Sequence, residues 1–355
     1  MSLSRSLVLV SGILALGLGA CDKSSSSGGG GGAGGEGGAA ASSGGAAAGK
    51  TKVAFLLATL QEERYLKDKK YFEDKATALG LAPFTLSADN DNAKQLAQLE
   101  DALSRGAKVI VVQPTDSTAA ASYVQKAHAK GAKIVSYDRS IKSDDLDVYV
   151  SHDAFKVGVI EAEEAVKATG GKGNYVILDG QSGHSVVAEI DRGYMSVLKP
   201  LVDKGDIKIV VQKNHESWSP EQSLKTMEDA IAKTKGDIQA VLANNSGMAR
   251  GAVQAIQAGG LAGKKIFTSG SDADASNINY VCEGKQTIEV LKDIKPLAEK
   301  AAEVALLLSQ GKPLEGTTGK PPMYALPVVL ITKDNAKALI VDTGFHTAKA
   351  VPACK

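Results

Sequence analysis

Charged and amide residues follow several apolar runs of this chain. Asp138 and Arg139 come directly after one run, and Asn245, Asp272 and Lys292 come within two residues of the end of later ones. In an open α/β sheet, ligands bind in the crevice outside the carboxyl ends of the strands. Polar side chains that end buried strands therefore predict a cleft that hydrogen-bonds one small polar molecule.

A second group of residues narrows the range of molecules that the predicted cleft could bind. Arg64, Tyr65 and the single tryptophan, Trp218, add a cation and two aromatic rings in a chain with only 5 % aromatic residues. Sugars offer hydroxyls that both donate and accept, and ring faces that pack on aromatic groups. Unpaired buried polar groups are costly, so such a site also discriminates between ligands. Ordinary structural interpretations are a solvated helix start for Arg64, a helix cap for Asp138 and a core position for Trp218.

The sequence contains few of the residue patterns that are typical of a catalytic site. The five histidines lie far apart in the sequence and do not have the spacing of metal ligands. Residues 180–183 resemble the start of a nucleophile elbow, but His184 stands where that motif needs its final glycine. Asp138 and Asp272 could form a glycosidase pair, but Arg139 beside Asp138 favours a carboxylate that only accepts hydrogen bonds. We expect a binding protein with no catalytic residue, no metal and no cofactor. The enzyme remains an alternative.

Strand-like and helix-like segments alternate from residue 52 onward. The predicted strands are 52–57, 84–87, 108–113, 133–138, 174–178, 207–211, 238–243, 265–269, 287–291 and 324–331, and the predicted helices include 65–79, 93–105, 118–130, 155–169, 220–235, 248–258 and 296–308. Alternation with almost continuous apolar strands is typical of parallel sheets covered on both faces.

The alternating pattern occurs twice. We therefore predict an α/β fold of two similar doubly wound parallel-sheet lobes joined by a hinge, and a single large sheet is the alternative. The predicted first lobe comprises residues 52–151 and 292–320, and the second comprises 152–291 and 321–355.

The first fifty residues predict export. Residues 1–20 resemble a signal peptide, because Arg5 precedes a short apolar stretch. Its end, Leu-Gly-Ala-Cys, resembles the bacterial lipobox, which implies lipidation of Cys21, a periplasmic or extracytoplasmic location and a membrane anchor. A soluble exported protein is the alternative. Residues 21–51 form a predicted flexible linker of Gly, Ser and Ala.

The 41 basic and 40 acidic residues show no basic stripe, so we expect no nucleic-acid partner.

The chain has three cysteines. If Cys21 carries lipid, Cys282 and Cys354 remain as a pair in an oxidising compartment, where disulfides persist. We therefore expect a disulfide that ties the C-terminal tail to the body of the protein.

Several segments of the mature chain resemble the periplasmic sugar-binding proteins of the type I fold, in particular the D-xylose-binding proteins of ABC importers. In order, the segments are EERYLKD at 62–68, YDRSI at 137–141, VLKP at 197–200, WSPE at 218–221, GSDAD at 270–274, Gln286-Thr287 leading to Lys292, and GFH at 344–346. Several motifs in the same order are far more specific than one alone.

The resemblance implies a ligand set drawn from both lobes. Its members are Arg64, Tyr65, Asp138, Arg139, Trp218, Asn245, Asp272 and Lys292. Trp218 would lie against the sugar ring, and Lys292 would lie close to the hinge. The implied protein is a monomer that takes a monosaccharide to the membrane permease of an ABC importer. A sensor that presents the sugar to a membrane receptor is the alternative.

One segment departs from the resemblance. After Gly180, D-xylose-binding relatives place an acid and amides against the sugar, whereas residues 181–187 here contain no acid. We expect His184 or Ser185 to substitute. The ligand is then D-xylose, another pentose, a hexose or a related polyol.

Overall fold

The computed structural model describes residues 49–355, so the predicted signal peptide, Cys21 and most of the linker lie outside the described residues. The described part forms two lobes, each built on a parallel sheet with helices on both faces. None of its helices is long and apolar enough to cross a membrane.

Strands and helices alternate as the sequence predicts. The strands are β1 (Lys52–Leu57), β2 (Ala82–Ser87), β3 (Val109–Val112), β4 (Lys133–Tyr137), β5 (Val148–His152), β6 (Gly173–Asp179), β7 (Ile207–Asn214), β8 (Ala240–Ala243), β9 (Phe267–Ser269), β10 (Glu289–Leu291), β11 (Met323–Leu326) and β12 (Val329–Ile331). The helices are α1 (Arg64–Ala78), α2 (Asn92–Ser104), α3 (Ala121–Ala129), α4 (Ala154–Thr169), α5 (Ser185–Asp203), α6 (Pro220–Thr234), α7 (Ser246–Ala258), α8 (Ala275–Glu283) and α9 (Ile294–Ser309).

The first lobe contains a parallel sheet in the order β11-β5-β4-β3-β1-β2. Side chains of β1 alternate between its faces, so Phe55 packs with Phe72 of α1 and Leu297 of α9. Leu56 points to the opposite face and packs with Leu99 of α2. Full burial of each such side chain contributes about 1.5–3 kcal/mol. This two-sided burial explains why the strands are apolar along their whole length.

The second lobe contains the parallel sheet β7-β6-β8-β9. A bridge from Ser271 to Val290 brings β10 beside it, and β12 pairs antiparallel with β10. Helices α4 and α5 cover one face at very short range, since a Cβ on Gly158 would lie 2.0 Å from the carbonyl oxygen of Ile190. Only glycine allows this approach.

The structure differs from two sequence predictions where the chain crosses between the lobes for the last time. The single strand predicted at 324–331 is two strands in different sheets, because Pro327 has no N–H to continue a ladder. Strand β11 pairs with β5, with Leu326 opposite His152, so it belongs to the first sheet. The predicted boundary after residue 320 is therefore too early. Strand β5 itself was not among the predicted strands.

The C-terminal tail is held against the second lobe. Cys282 and Cys354 form a disulfide with a Cα–Cα distance of 5.3 Å. Both cysteines lie in an apolar cluster with Ile278, Ile340 and Val351. The tail is thus fixed to α8 covalently and by packing.

Candidate functional site

The carboxyl ends of strands from both sheets surround one small cavity of about 10 Å³. Its lining residues are Glu62, Arg64, Tyr65, Asp138, Arg139, Val186, Trp218, Asn245, Asp272 and Lys292. All eight residues of the predicted ligand set are therefore brought together, and Glu62 and Val186 are additional. The volume corresponds to about one water molecule, so the lobes lie closed around the cavity.

Arg64 is the central cation of this cavity. Its Nη1 lies 3.2 Å from Oδ1 of Asp138 and 3.2 Å from Oδ1 of Asp272, while its Nε lies 3.3 Å from Oδ2 of Asp68. Burial alone would lower the pKa of Arg64, but the three carboxylates raise it well above its ordinary value. Arg64 is therefore a buried, permanently charged donor rather than a solvated helix start.

Asp138 supplies an acceptor from the first lobe. Gln113 donates to its Oδ2 over 3.2 Å, and its backbone has a positive φ of 61°. Burial would raise the pKa of Asp138, yet Arg64, Lys292 and Arg139 together hold it below its ordinary value. The group is an ionised carboxylate, which can only accept hydrogen bonds.

Asp272 of the second lobe pairs with Lys292, which directly follows β10. Nζ of Lys292 lies 2.7 Å from Oδ1 of Asp272. The φ of Asp272 is 98°, a value that side chains with a Cβ rarely adopt. Strained backbone of this kind persists where the surrounding structure enforces it, often at ligand sites. Asn245 lies beside this pair and also caps α7, since its Oδ1 accepts from the N–H of Met248 over 2.9 Å.

Trp218 forms an aromatic wall on the second lobe. It is only 6 % exposed and packs in that lobe's core, so the core interpretation and the cavity interpretation both apply to it. A Cβ on Gly180 would lie 2.5 Å from the indole ring. Glycine at 180 therefore allows the ring to reach the cavity.

His184 and Ser185 are occupied by protein contacts. Nε1 of Trp218 donates to Nδ1 of His184 over 2.8 Å, and Nε2 of His184 lies 2.8 Å from the carbonyl oxygen of Thr115 in the first lobe. Because the indole can only donate, Nε2 of His184 carries the ring proton. Burial and then Arg139 lower the pKa of His184 to about 2. Oγ of Ser185 accepts from the N–H of Ser140 over 2.6 Å.

These contacts bear on the substitution expected from the sequence. Neither His184 nor Ser185 lines the cavity, and the polar atoms of both join one lobe to the other. The cavity member from this segment is Val186, an apolar side chain. Residues 181–187 therefore place no polar side chain in the cavity lining in this arrangement.

Arg139 and Glu62 complete the first-lobe side. Nη2 of Arg139 donates to the hydroxyl of Tyr65 over 3.2 Å and lies 3.9 Å from Oε1 of Glu62. Burial raises the pKa of Glu62, and Arg139 opposes that effect. Glu62 is not among the predicted site residues, because a run of two glutamates before a helix is usually a solvated face.

The cavity combines charged acceptors, charged donors and aromatic faces from both lobes. Planar carboxylate and guanidinium groups bind vicinal hydroxyls through charge-assisted hydrogen bonds. Within residues 49–355, no group of three or more His, Cys, Asp or Glu residues is placed to hold a metal ion. The arrangement thus suits a small polyhydroxyl molecule.

Comparison with known proteins agrees with this geometry. The family of periplasmic binding protein domains matches residues 53–313. The D-xylose-binding periplasmic protein of Escherichia coli is 37 % identical over 303 residues, which cover 84 % of this chain and 91 % of that protein. The protein of the same name from Haemophilus influenzae is 35 % identical over 306 residues, covering 84 % and 92 %.

Solved structures show the same similarity. An ABC transporter solute-binding protein from Clostridium phytofermentans with bound β-D-glucose superposes with a TM-score of 0.78 and 25 % identity. The match covers 85 % of this chain and all of that chain.

Proposed function

This chain belongs to the periplasmic binding protein family, and we propose that it captures a monosaccharide between its lobes and delivers it to an ABC importer. It is a homologue of D-xylose-binding proteins and of other sugar-binding proteins of ABC transporters. The observation that carries the proposal is the convergence of Arg64 and Asp138 with Asp272 and Trp218 from the other lobe on one cavity.

The mechanism that we propose is closure of the lobes around the sugar. In an open form the groups of the two lobes are separate and hydrated, and in the closed form both contact the ligand. A ligand with contacts to both lobes favours the closed form by its differential affinity. Direct contacts between lobes, such as Ser140 with Ser185, add to that preference. Micromolar affinity needs about 8 kcal/mol, which several charge-assisted hydrogen bonds and one stacked ring can supply.

D-xylose is the first ligand to test because of the named relatives, and the absence of an acid from residues 181–187 extends the range to other pentoses, hexoses and polyols. A thermal-shift screen of D-xylose, D-ribose, L-arabinose, D-glucose, D-galactose, xylitol and myo-inositol tests this range. We expect a rise in melting temperature with at least one compound, confirmed by calorimetry. Small-angle scattering with that compound should report a population of closed molecules at least as large as without it. Flat melting curves across the whole panel would overturn the proposal.

Export and anchoring are part of the proposal. We propose a periplasmic, monomeric lipoprotein attached through Cys21, on the basis of the signal-like residues 1–20 and the lipobox-like end of that segment. Labelling cells with a radioactive fatty acid should mark the wild-type chain and not Cys21→Ser. An unlabelled wild-type chain that is recovered in the soluble fraction would favour the soluble exported form.

Transport is favoured over sensing and over catalysis by the similarity to the ABC transporter solute-binding protein from Clostridium phytofermentans. Deletion of the gene should abolish uptake of the labelled ligand. Unchanged uptake would favour a sensor, and release of product from sugar glycosides by the purified protein would favour an enzyme.

A further inference from the structure

Glu62 has an unused acceptor in the wall of the cavity. Its Oε2 is buried and has no hydrogen-bond partner among the residues that the structure describes, and its side chain is 15 % exposed. The distance of 3.9 Å from Oε1 to Nη2 of Arg139 is too long for a hydrogen bond. A buried carboxylate without partners is unfavourable. This group therefore has full capacity to accept hydrogen bonds from a ligand.

The backbone holds Glu62 at this position. Its carbonyl oxygen accepts from the N–H of Tyr65 over 3.2 Å in the turn that leads into α1. Glu62 is thereby fixed in the same turn as Arg64 and Tyr65, two members of the cavity lining.

Residues 181–187, on the opposite wall, do not supply a competing acceptor. Gln181 accepts from the N–H of Ser217 over 2.9 Å, and the polar atoms of His184 and Ser185 are bonded within the protein. Val186 is the member of this segment that reaches the cavity. No side chain of residues 181–187 therefore offers an unused acceptor to the cavity, and a substitute for the absent acid must come from elsewhere in the lining.

A buried donor that also lacks a hydrogen-bond partner among the described residues lies next to Glu62. Arg139 is 1 % exposed, lines the cavity, and its Nε has no hydrogen-bond partner among the described residues. A hydroxyl can accept from one group while it donates to another. A sugar hydroxyl placed between the two groups would accept from Nε of Arg139 and donate to Oε2 of Glu62.

We propose that Glu62 is a specificity-determining residue that accepts a hydrogen bond from one hydroxyl of the bound sugar, and that it takes the role of the acid absent from residues 181–187. This inference rests on the proposed function. It predicts strong discrimination against the sugar that lacks that one hydroxyl, because the buried carboxylate would then stay unpaired.

The test combines protein variants with ligand analogues. The probes are the tightest-binding sugar of the panel above and its monodeoxy analogues, titrated by calorimetry into wild type, Glu62→Leu and Glu62→Met. Glu100→Gln is the control, since that carboxylate is 55 % exposed on α2 and pairs with Lys126. We expect Glu62→Leu to bind the parent sugar at least tenfold more weakly, with Glu100→Gln unchanged.

The analogues give the decisive result. One monodeoxy analogue should bind wild type at least tenfold more weakly than the parent sugar, and Glu62→Leu should bind that analogue and the parent equally. The other analogues should lose the same factor in both proteins. If every analogue keeps its wild-type ratio in Glu62→Leu, or in Glu62→Met should the leucine variant not fold, the inference is wrong while sugar binding stands. If wild type binds no sugar, the proposed function fails and this inference with it.

Discussion

Arg64 and Asp272 are 208 residues apart in the chain, yet Nη1 of Arg64 donates to Oδ1 of Asp272 over 3.2 Å. The contact joins the turn after β1 in the first lobe to the loop after β9 in the second. Lys292 lies 2.7 Å from the same oxygen. We therefore expect both the closure of the lobes and the binding of a ligand to depend on one small group of charges.

Replacement of Asp272 by alanine should weaken sugar binding at least tenfold. The change removes an acceptor and leaves Arg64 and Lys292 without this partner, and a hydrogen bond to a charged group contributes about 1.5–3 kcal/mol. Calorimetry measures the affinity. Asp229→Ala is the control because that carboxylate is 64 % exposed on α6 and should leave binding unchanged.

Replacement of Trp218 by alanine should also weaken binding at least tenfold. The variant loses the aromatic wall of the cavity and the donor that orients His184. Trp218→Phe keeps a ring without the N–H and should fall between wild type and Trp218→Ala. Unchanged affinity in both Asp272→Ala and Trp218→Ala would refute this site.

Arg64→Met should destabilise the protein strongly. Asp68 and Asp138 are 0 % and 5 % exposed, so removal of the cation leaves buried carboxylates uncompensated, which costs about 3–5 kcal/mol. Urea unfolding measures the loss. Addition of Asp68→Asn to Arg64→Met should restore part of the stability, and Arg105→Met, at an exposed arginine on the surface, should cost little.

The free energy of unfolding should fall as pH rises from 6.5 to 8. Burial raises the pKa values of Glu161, Glu289 and Asp191 to about 8, so the folded state retains protons that the unfolded state has released. His152 and His184, with lowered pKa values, make the opposite contribution only below their ordinary value of 6.5. Urea unfolding at several pH values tests the slope. The double variant Glu161→Gln with Glu289→Gln should show a shallower slope, and an unaltered slope would argue against these groups.

Loss of the disulfide should lower stability by about 4 kcal/mol, because its closed loop is long. Cys282 and Cys354 are 72 residues apart. The double variant Cys282→Ala with Cys354→Ala should unfold at lower urea, and a reductant should shift wild type in the same direction. A reductant effect of equal size on the double variant would show that the disulfide is not responsible.

The sequence predicts much of this site because its residues come at strand ends. Asp138, Asp272 and Lys292 each follow an apolar run, and parallel strands bring those ends to one edge of a sheet. The lobes could be predicted for the same reason, since the strand-helix pattern occurs twice.

The remaining features depend on contacts that spacing does not reveal. Glu62 follows no strand directly, and its burial depends on how the second lobe closes over the turn before α1. His184 and Ser185 lie outside the cavity lining for a similar reason, because atoms from the first lobe occupy their polar groups. Strand β5 and the division of 324–331 follow from pairing between residues far apart in the chain.

The position of β11 has a consequence for the order of folding. Residues 323–326 form the edge strand of a sheet whose other members end at residue 152. A nascent chain therefore exposes β5 as an unprotected edge until residues 323–326 have been synthesised. Truncation before Met323 should leave that edge available for pairing with other molecules, and aggregation of such fragments is the expected result.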